Sequence, residues 1–338
     1  MLSKGVANGA PFIDWITLSE HRPEGGLPLV LRGVTSYHDA AGNCRFERVS
    51  PASHGGSYAT SVAVGCDGAR LYLSGNAGRF SRRDNVFNHD WHGTLGCVEG
   101  IVVSLGLPPF RFARDVPNGG TQSGARVHRL DVTRNFAAGS DSQARAVIRW
   151  LAGRSVARVK RGRQGDESVW WANTHRMFKA YLKGAELVAH GADPKSRVVQ
   201  WCQDNGVVRV EVEMKRRLLS RLELERLDDI TQERLEEAYE DETAILREVD
   251  RSDEPDILDV IPARSRAYAA AWLAGVDVTT IASRATLFRH AKACRAVGIN
   301  ILEPRNVVQF PTRVRIVELT PCVMPDWYSL EVDREDAA

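Results

Sequence analysis

The sequence lacks the features of disulfide-rich, exported and membrane-spanning proteins. Its six cysteines are scattered, and no two stand at C-x-x-C spacing, which argues against both a zinc site and a disulfide framework. It has no run of eighteen or more apolar residues and no signal-peptide pattern at its start. We therefore expect a cytoplasmic protein with free thiols and no membrane span.

The sequence also has little net charge, although its charges are unevenly distributed. The formal charge is only +2, yet the chain is rich in acidic residues between Glu223 and Asp259 and basic just before them. Apolar residues at helical spacing within the acidic stretch predict a solvated helical connector. With 338 residues and 43% hydrophobic content, the chain can bury one large core or two modest ones. We predict three segments, at residues 1–221, 222–260 and 261–338.

Three segments alternate polar and apolar side chains, as strands with one buried face do. They lie at residues 125–133, 177–183 and 207–215, and the second runs into a helix start or a tight turn. Helices are predicted between and around them, at residues 94–105, 140–151 and 195–205. This order predicts an α+β fold in which helices cover one face of a sheet. The polar face would then carry Arg129, Asp131, Lys179, Tyr181, Lys183, Arg209, Glu211 and Glu213.

A tyrosine on such a face is a candidate nucleophile. Its hydroxyl has an ordinary pKa near ~10, so it needs nearby positive charge or a metal to favour the phenolate, and Lys183 could supply that charge. The neighbouring carboxylates are hard oxygen ligands that suit Mg²⁺ or Mn²⁺. Together they suit phosphodiester transesterification through a phosphotyrosine link. Taken alone, the Tyr181 segment is also consistent with a solvated amphipathic strand.

Several short motifs along the whole chain resemble one known family. They are Phe12-Ile13-Asp14-Trp15, Ser74-Gly75-Asn76 with Asp84-Asn85-Val86-Phe87, Arg129-Leu130-Asp131, Ala180-Tyr181-Leu182-Lys183 with Glu186-Leu187, Val208-Arg209-Val210-Glu211 and Pro325-Asp326-Trp327-Tyr328. In this order they resemble the gene II replication initiators of filamentous phages. The resemblance implies a mostly antiparallel sheet followed by a C-terminal helical region.

The resemblance also implies an activity and its residues. Such a protein nicks the plus strand of a double-stranded phage origin, becomes linked to the 5′ phosphate, and later cuts and rejoins the strand. Tyr181 matches the nucleophile and Lys183 the lysine two residues on. Asp131, Glu186 and Glu211 match acidic positions that we expect to hold Mg²⁺ or Mn²⁺, with Glu213 a further candidate, while Arg129 and Arg209 would bind flanking phosphates.

Two sequence differences affect the expected site, one from the family's own pattern and one from better-known rolling-circle enzymes. Where the family commonly has a His-Asn pair, this chain has Asp84-Asn85, which argues against any role for that loop that needs an imidazole. The familiar rolling-circle and relaxase enzymes hold their metal on a histidine–apolar–histidine strand, and no such triplet occurs here. A carboxylate metal site is therefore expected.

Basic residues outside the sheet suggest further DNA contacts. Lys160 and Arg161 belong to a basic run at residues 154–163 that could follow a phosphate backbone. Residues 265–275 and 285–297 resemble a helix-turn-helix in which Arg284 and Arg289 would face the major groove. The expected partner is phage origin DNA, both duplex and nicked single strand. A homodimer on the origin and recruitment of a host replicative helicase are also compatible with the sequence.

Two other functions are compatible with the same residues. A non-catalytic DNA-binding regulator would use the same lysines and arginines, but it has no use for acidic groups where a phosphate must sit. A ribonuclease or phosphodiesterase would use the metal and water and would form no covalent adduct.

Overall fold

The structure is a computed structural model. It describes residues 9–116, 120–122, 124–153, 160–165, 167–244, 261–273, 276–295, 301–302 and 319–331. The chain divides into two compact units, the first formed by residues 1–246 with 318–338 and the second by residues 247–317. The division differs from the predicted one, because part of the acidic stretch and the C-terminal tail both belong to the first unit.

The described part of the first unit contains fifteen β-strands. They are β1 Phe12–His21, β2 Leu29–Val30, β3 Gly33–His38, β4 Cys44–Ser50, β5 Ala52–Gly55, β6 Ser61–Asp67, β7 Arg70–Gly75, β8 Arg114–Val116, β9 Gly120–Gln122, β10 Arg126–Ala137, β11 Lys160–Gln164, β12 Ser168–Ala172, β13 Arg176–Leu182, β14 Val207–Lys215 and β15 Thr320–Pro321.

Eleven of these strands form one sheet. Along its main path they run β11-β12-β13-β14-β10-β1-β7-β6-β2, with β5 added on β6 and β15 on β10. All of these pairs are antiparallel, which confirms the predicted fold class. Two hairpins, β3–β4 and β8–β9, lie outside this sheet.

The alternation predicted for the central strands is present. Val208, Val210 and Val212 of β14 are fully or almost fully buried on the apolar face, and Phe178 and Ala180 of β13 are buried beside them. The helix that follows β10 packs against β12, β13 and β14, and the one that follows β14 packs against β10 and β14. The polar side chains of the same strands therefore share the opposite face.

Helices connect and cover the strands of the first unit. The first begins after Asp90, whose carboxylate accepts the Gly93 N–H at 2.7 Å, so it starts three residues before the predicted position. The second follows Ser140, whose hydroxyl accepts the Gln143 N–H. These helices are α1 Trp91–Ser104, α2 Asp141–Gly153, α3 Lys183–Ala189, α4 Arg197–Asp204, α5 Arg216–Arg221 and α6 Gln232–Glu242, with 3-10 turns at Ala77–Arg79 and Leu227–Asp229.

The beginning of the acidic stretch is packed against the sheet. Tyr239 of α6 is fully buried, and its hydroxyl donates to the backbone oxygen of Val210 at 3.2 Å. On the same helix, Glu240 pairs with Arg134 of β10 and Glu242 with Arg176 of β13. Charge balance with these strand arginines therefore accounts for acidic residues that the sequence pattern assigns to a solvated connector.

Two irregularities in β1 and β10 shift side chains between faces. Between Ile13 and Trp15 the register of β1 against β10 slips by one residue, so that Asp14 is extra. A second slip, further along the same pair of strands, leaves His128 of β10 extra. Such β-bulges place two consecutive side chains on one side of a sheet.

The C-terminal tail returns to the first unit. Cys322 and Tyr328 belong to an apolar cluster with Phe12, Phe87 and Val199. The Tyr328 hydroxyl donates to Asp84 Oδ1 at 2.5 Å and accepts from Arg82 Nη2 at 3.2 Å. Tyr328 thus packs in the apolar cluster and fixes the 80–90 loop.

The second unit is helical where it is described. It contains α7 Ala263–Leu273, a 3-10 turn at Val278–Thr280 and α8 Arg284–Arg295 around a small apolar cluster that includes Ala269, Leu287 and Ala291. This confirms the predicted C-terminal helical region. In neither unit does any described helix have the length and apolar character needed to cross a membrane.

Candidate active site

A cleft of about 780 Å³ opens on the polar face of the sheet. Its floor comes from β1, β10, β13 and β14, and its rim from α3 and the loop after β7. Its lining includes Asp14, Trp15, Asn76, Asn85, Arg129, Asp131, Trp170, Lys179, Tyr181, Glu186 and Glu211.

Tyr181 lies in this cleft with a carboxylate at its hydroxyl. Its phenol donates to Glu211 Oε1 at 2.5 Å, and the other oxygen of Glu211 accepts from Lys179 Nζ at 3.2 Å. Lys179 stands directly opposite Glu211 in the β13–β14 register. Burial and then the charge of Glu211 raise the pKa of Tyr181 well above 10, while Arg209 acts in the opposite direction. The phenol is therefore protonated at rest, and its hydroxyl hydrogen points at the Glu211 carboxylate.

The hydrogen bonds of Lys183 go to Asn85 and Glu186, and its support of the phenolate stays a prediction. Lys183 is the first residue of α3 and fully buried, and its ammonium donates to Asn85 Oδ1 at 2.7 Å and to Glu186 Oε2 at 2.6 Å. Burial and then the charge of Arg209 lower its pKa. Its two contacts hold the 80–90 loop and α3 together beside the tyrosine.

Arg209 is also an interior residue. It is fully buried, and its guanidinium donates to Asn135 Oδ1 at 3.0 Å and to the backbone oxygens of Asn85 and Val86. Its Nη1 lies 3.5 Å from Asp14 Oδ2. These contacts hold the 80–90 loop in place, and the binding of a flanking phosphate by Arg209 stays a prediction.

Asp14 is a residue of the cleft whose position strand alternation does not reveal. As the extra residue of the β1 bulge it turns onto the polar face beside Trp15. Its carboxylate accepts from Asn76 Nδ2 at 2.7 Å and from Asn85 Nδ2 at 2.9 Å. The motifs around Asp14, Asn76 and Asn85 were recognisable in the sequence, but their contact depends on the bulge.

The carboxylates expected to hold a metal lie on this face but each has a cationic partner. Asp131 accepts from Arg129 at 2.6 Å, Glu211 from Lys179 and Glu186 from Lys183. Glu213 lies 3.1 Å from Arg129 and 3.2 Å from Lys215. In the described part of the chain no three acidic, histidine or cysteine side chains converge as a metal would require. These oxygen donors have the chemistry that Mg²⁺ prefers, but their arrangement does not form a centre for it.

Arg129 and Lys179 are the predicted cations that the cleft exposes. Arg129 is about one-third exposed, and its guanidinium lies over the Trp15 ring at 5.1 Å while it pairs with Asp131. Burial raises the pKa of Asp131 to about 6, against the opposing effect of Arg129. Trp170 also lines the cleft, whereas its neighbour Trp171 is buried in the core.

The remaining predicted DNA contacts lie elsewhere. Lys160 and Arg161 belong to β11, but their side chains are outside the described residues, as are residues 154–159. Arg284 and Arg289 are exposed on α8 of the second unit, next to Phe288, which is 54% exposed.

Comparison with known proteins identifies the family. Residues 12–233 match the N-terminal family model of the gene II replication-associated proteins, and residues 257–333 match the C-terminal model of the same proteins. The gene II replication-associated protein of Enterobacteria phage I2-2 is 25% identical over 319 residues, which cover 85% of this chain and 88% of that protein. The protein of the same name from Escherichia phage If1 is 24% identical over 323 residues, 79% of this chain and 97% of that protein. The chain therefore belongs to the family of gene II replication-associated proteins, the replication initiators of filamentous phages that its motifs resemble.

Proposed function

We propose that this chain starts rolling-circle replication by nicking the plus strand of a double-stranded phage origin and becoming linked to the 5′ phosphate through Tyr181. One observation carries this proposal. The Tyr181 hydroxyl lies in an open cleft on the polar sheet face, and it donates a 2.5 Å hydrogen bond to a carboxylate oxygen of Glu211. A pure DNA-binding regulator has no need of that pair.

The proposed step uses Glu211 as a general base. Glu211 accepts the phenol proton while the Tyr181 oxygen attacks phosphorus, and the bond from phosphorus to the 3′ oxygen breaks. The departing 3′ oxygen takes a proton from solvent. In rejoining, a 3′ hydroxyl releases its proton to solvent as its oxygen attacks phosphorus, the bond from phosphorus to Tyr181 breaks, and the tyrosine oxygen takes back the proton held by Glu211.

Other side chains bind and orient in this scheme. Lys179 and Arg129 face the cleft, so they can approach the non-bridging oxygens of the scissile phosphate as it displaces their present partners. Lys183, Asn85, Asp14 and Arg209 form a buried network that fixes the wall of the cleft. We assign these four to positioning.

Magnesium or manganese stays a prediction from the sequence, as do the homodimer, the helicase and the cytoplasmic location. No step in this scheme depends on a metal ion. A requirement for one would mean that Asp131, Glu211 or Glu186 exchanges its lysine or arginine partner for the ion when DNA binds.

The test uses supercoiled plasmid carrying the phage's own origin, incubated with Mg²⁺ or with EDTA. A denaturing gel then detects protein attached to labelled DNA. We expect an adduct that is lost in Tyr181→Phe and kept in Tyr37→Phe, a matched change at an exposed tyrosine of the β3–β4 hairpin. Binding without nicking would support the regulator, and cleavage without an adduct would support the phosphodiesterase.

A further inference from the structure

A second groove lies on the same sheet face, at the end away from Tyr181. It has a volume of about 920 Å³ and is formed by β1, β7, β10 and the turn after α5. We call it the basic groove and define it by Ser19, His21, Arg70, Tyr72, Arg126, His128 and Arg226. Neither the sequence motifs nor the nicking mechanism accounts for these residues.

The β10 bulge connects this groove to the nicking cleft. Because His128 is the extra residue, it and Arg129 both turn onto the polar face although they are consecutive. His128 lines the basic groove and contacts Ser19 Oγ at 2.7 Å, whereas Arg129 lines the nicking cleft. One continuous sheet surface therefore passes from the tyrosine to the basic groove.

The two sites differ in charge. Acidic side chains line the nicking cleft, and its cations are largely neutralised by them. In the basic groove, Arg126 pairs with Glu225 at 2.8 Å, but within the described part of the chain Arg70 and Arg226 have no carboxylate at ion-pair distance. Burial, followed by the charges of Arg216 and Arg126, lowers the pKa of His128, and Glu225 opposes the shift. Unpaired guanidinium groups in a concave site favour an anion with several charges.

The distance from Tyr181 to the basic groove is long enough that only an extended ligand, such as a DNA strand, could occupy both sites. Tyr181 stands level with Arg209 and hence with Asn135 of β10, seven residues from His128. At about 3.3 Å per strand residue this is roughly 23 Å along β10, and Arg70, which pairs with His21 of β1, lies further still from Tyr181. The span to His128 matches about seven nucleotides at a stacked spacing of about 3.4 Å and fewer in an extended strand.

We infer that the basic groove binds the phosphodiester backbone of single-stranded DNA several nucleotides away from the phosphate attacked by Tyr181, through Arg70 and Arg226. The inference rests on the proposed nicking function for its substrate. A single strand is favoured over a duplex because the groove floor is the sheet itself, with the half-buried Tyr72 ring available for a base to stack on. Binding there would keep the nicked strand aligned on the sheet face.

The test measures binding of the full chain to fluorescent oligo(dT) of 20 nucleotides, which needs no origin sequence and no cleavage. Affinities are taken at several salt concentrations for wild type, Arg70→Ala, Arg226→Ala and the double variant. Each lost phosphate contact should lower the slope of log K against log salt by about 0.7 and weaken binding about fivefold at 0.1 M salt. The double variant should lose about 1.4 in slope and bind about 25-fold more weakly.

The matched control is Arg217→Ala on α5, an exposed arginine that the groove does not include. It should leave the slope unchanged, and thermal unfolding should show that all variants fold alike. An unchanged slope in the double variant, or an equal loss in Arg217→Ala, would overturn the inference.

Failure of the inference and failure of the nicking function are separable. Adduct formation on origin DNA by the wild type tests the nicking function alone. An adduct together with an unchanged slope in the double variant would refute only the groove. A reduced slope without any adduct would support DNA binding by the basic groove and refute only the nicking function.

Discussion

Glu211 is the residue on which the proposed chemistry depends. Glu211→Gln keeps the shape of the side chain and its contact with Tyr181 but cannot accept a proton. We expect adduct formation at neutral pH to slow by about 10²–10⁴-fold. Because the charge of Glu211 also helps to raise the pKa of Tyr181, its removal should let the phenol ionise more readily, so the deficit should shrink at alkaline pH.

Rapid-quench measurement of the adduct on a single-stranded origin oligonucleotide, from pH 6 to 9, checks this expectation. Unchanged binding of the same oligonucleotide serves as the control. A deficit of the same size at every pH would mean that Glu211 acts by holding Lys179 or another group in place.

Asp131 should make stability depend on pH. Its pKa is raised to about 6 in the folded protein, so the folded state binds a proton more tightly than the unfolded chain does. Its stabilising contribution is complete below about pH 4 and is lost as pH rises through 6, up to roughly 3 kcal/mol.

Asp131→Asn should remove this dependence. Urea unfolding of both proteins in EDTA-containing buffer from pH 4 to 7 should show the variant gaining stability relative to wild type as pH rises. Stability curves that stay parallel would indicate that Arg129 already compensates the buried charge.

At the scale of single elements, the 80–90 loop owes its position to distant parts of the chain. Tyr328 from the tail donates to Asp84, and Arg209 from β14 binds the backbone oxygens of Asn85 and Val86. Tyr328→Phe removes a buried hydroxyl that donates to Asp84 and accepts from Arg82, so Asp84 loses one donor and Arg82 loses one acceptor. The free energy of unfolding should fall by about 1–3 kcal/mol.

Tyr37→Phe is the matched control, because its ring is exposed on the β3–β4 hairpin and its change should stay within about 0.5 kcal/mol. Denaturant unfolding of both variants against wild type measures the difference. Equal effects in the two variants would show that the tail does not anchor the loop.

The elements themselves were largely predictable, and their irregularities were not. The strand over Val207–Lys215 and the helix after Ser140 follow from local periodicity and a capping hydroxyl, and the structure confirms both. A bulge, however, depends on how two strands pair, which periodicity within one strand does not record. For this reason Asp14 and the groove side of His128 could not be placed from the sequence.

Which residues share the site face was predictable from the sequence, but which of them bond to one another was not. Alternation correctly placed Lys179, Tyr181, Glu211 and Asp131 on one face. It could not show that Lys183 and Arg209 are buried, because both turn inward to a loop that is about 100 residues away in the sequence or more. Burial of a charge is decided by long-range contacts, and a charged residue met in a sequence is read as exposed by default.

For the whole molecule, the two compact units should carry separable tasks. The exposed face of α8 presents Arg284, Phe288, Arg289, Lys292 and Arg295, and its buried face packs on the helices of its own unit. A basic helix face of this kind suits duplex recognition, whereas the tyrosine and its base belong entirely to the first unit.

Replacing Arg284 and Arg289 together by alanine should therefore weaken binding to duplex origin DNA about 30-fold or more, since each contact to DNA costs at least about 1 kcal/mol. Adduct formation on a single-stranded origin oligonucleotide should stay at the wild-type rate. Arg264→Ala, at an exposed position on α7, is the control for a general loss of positive charge. If the double variant lost both activities together, the helical unit would be needed to assemble the nicking site, and the tasks would not be divided between the units.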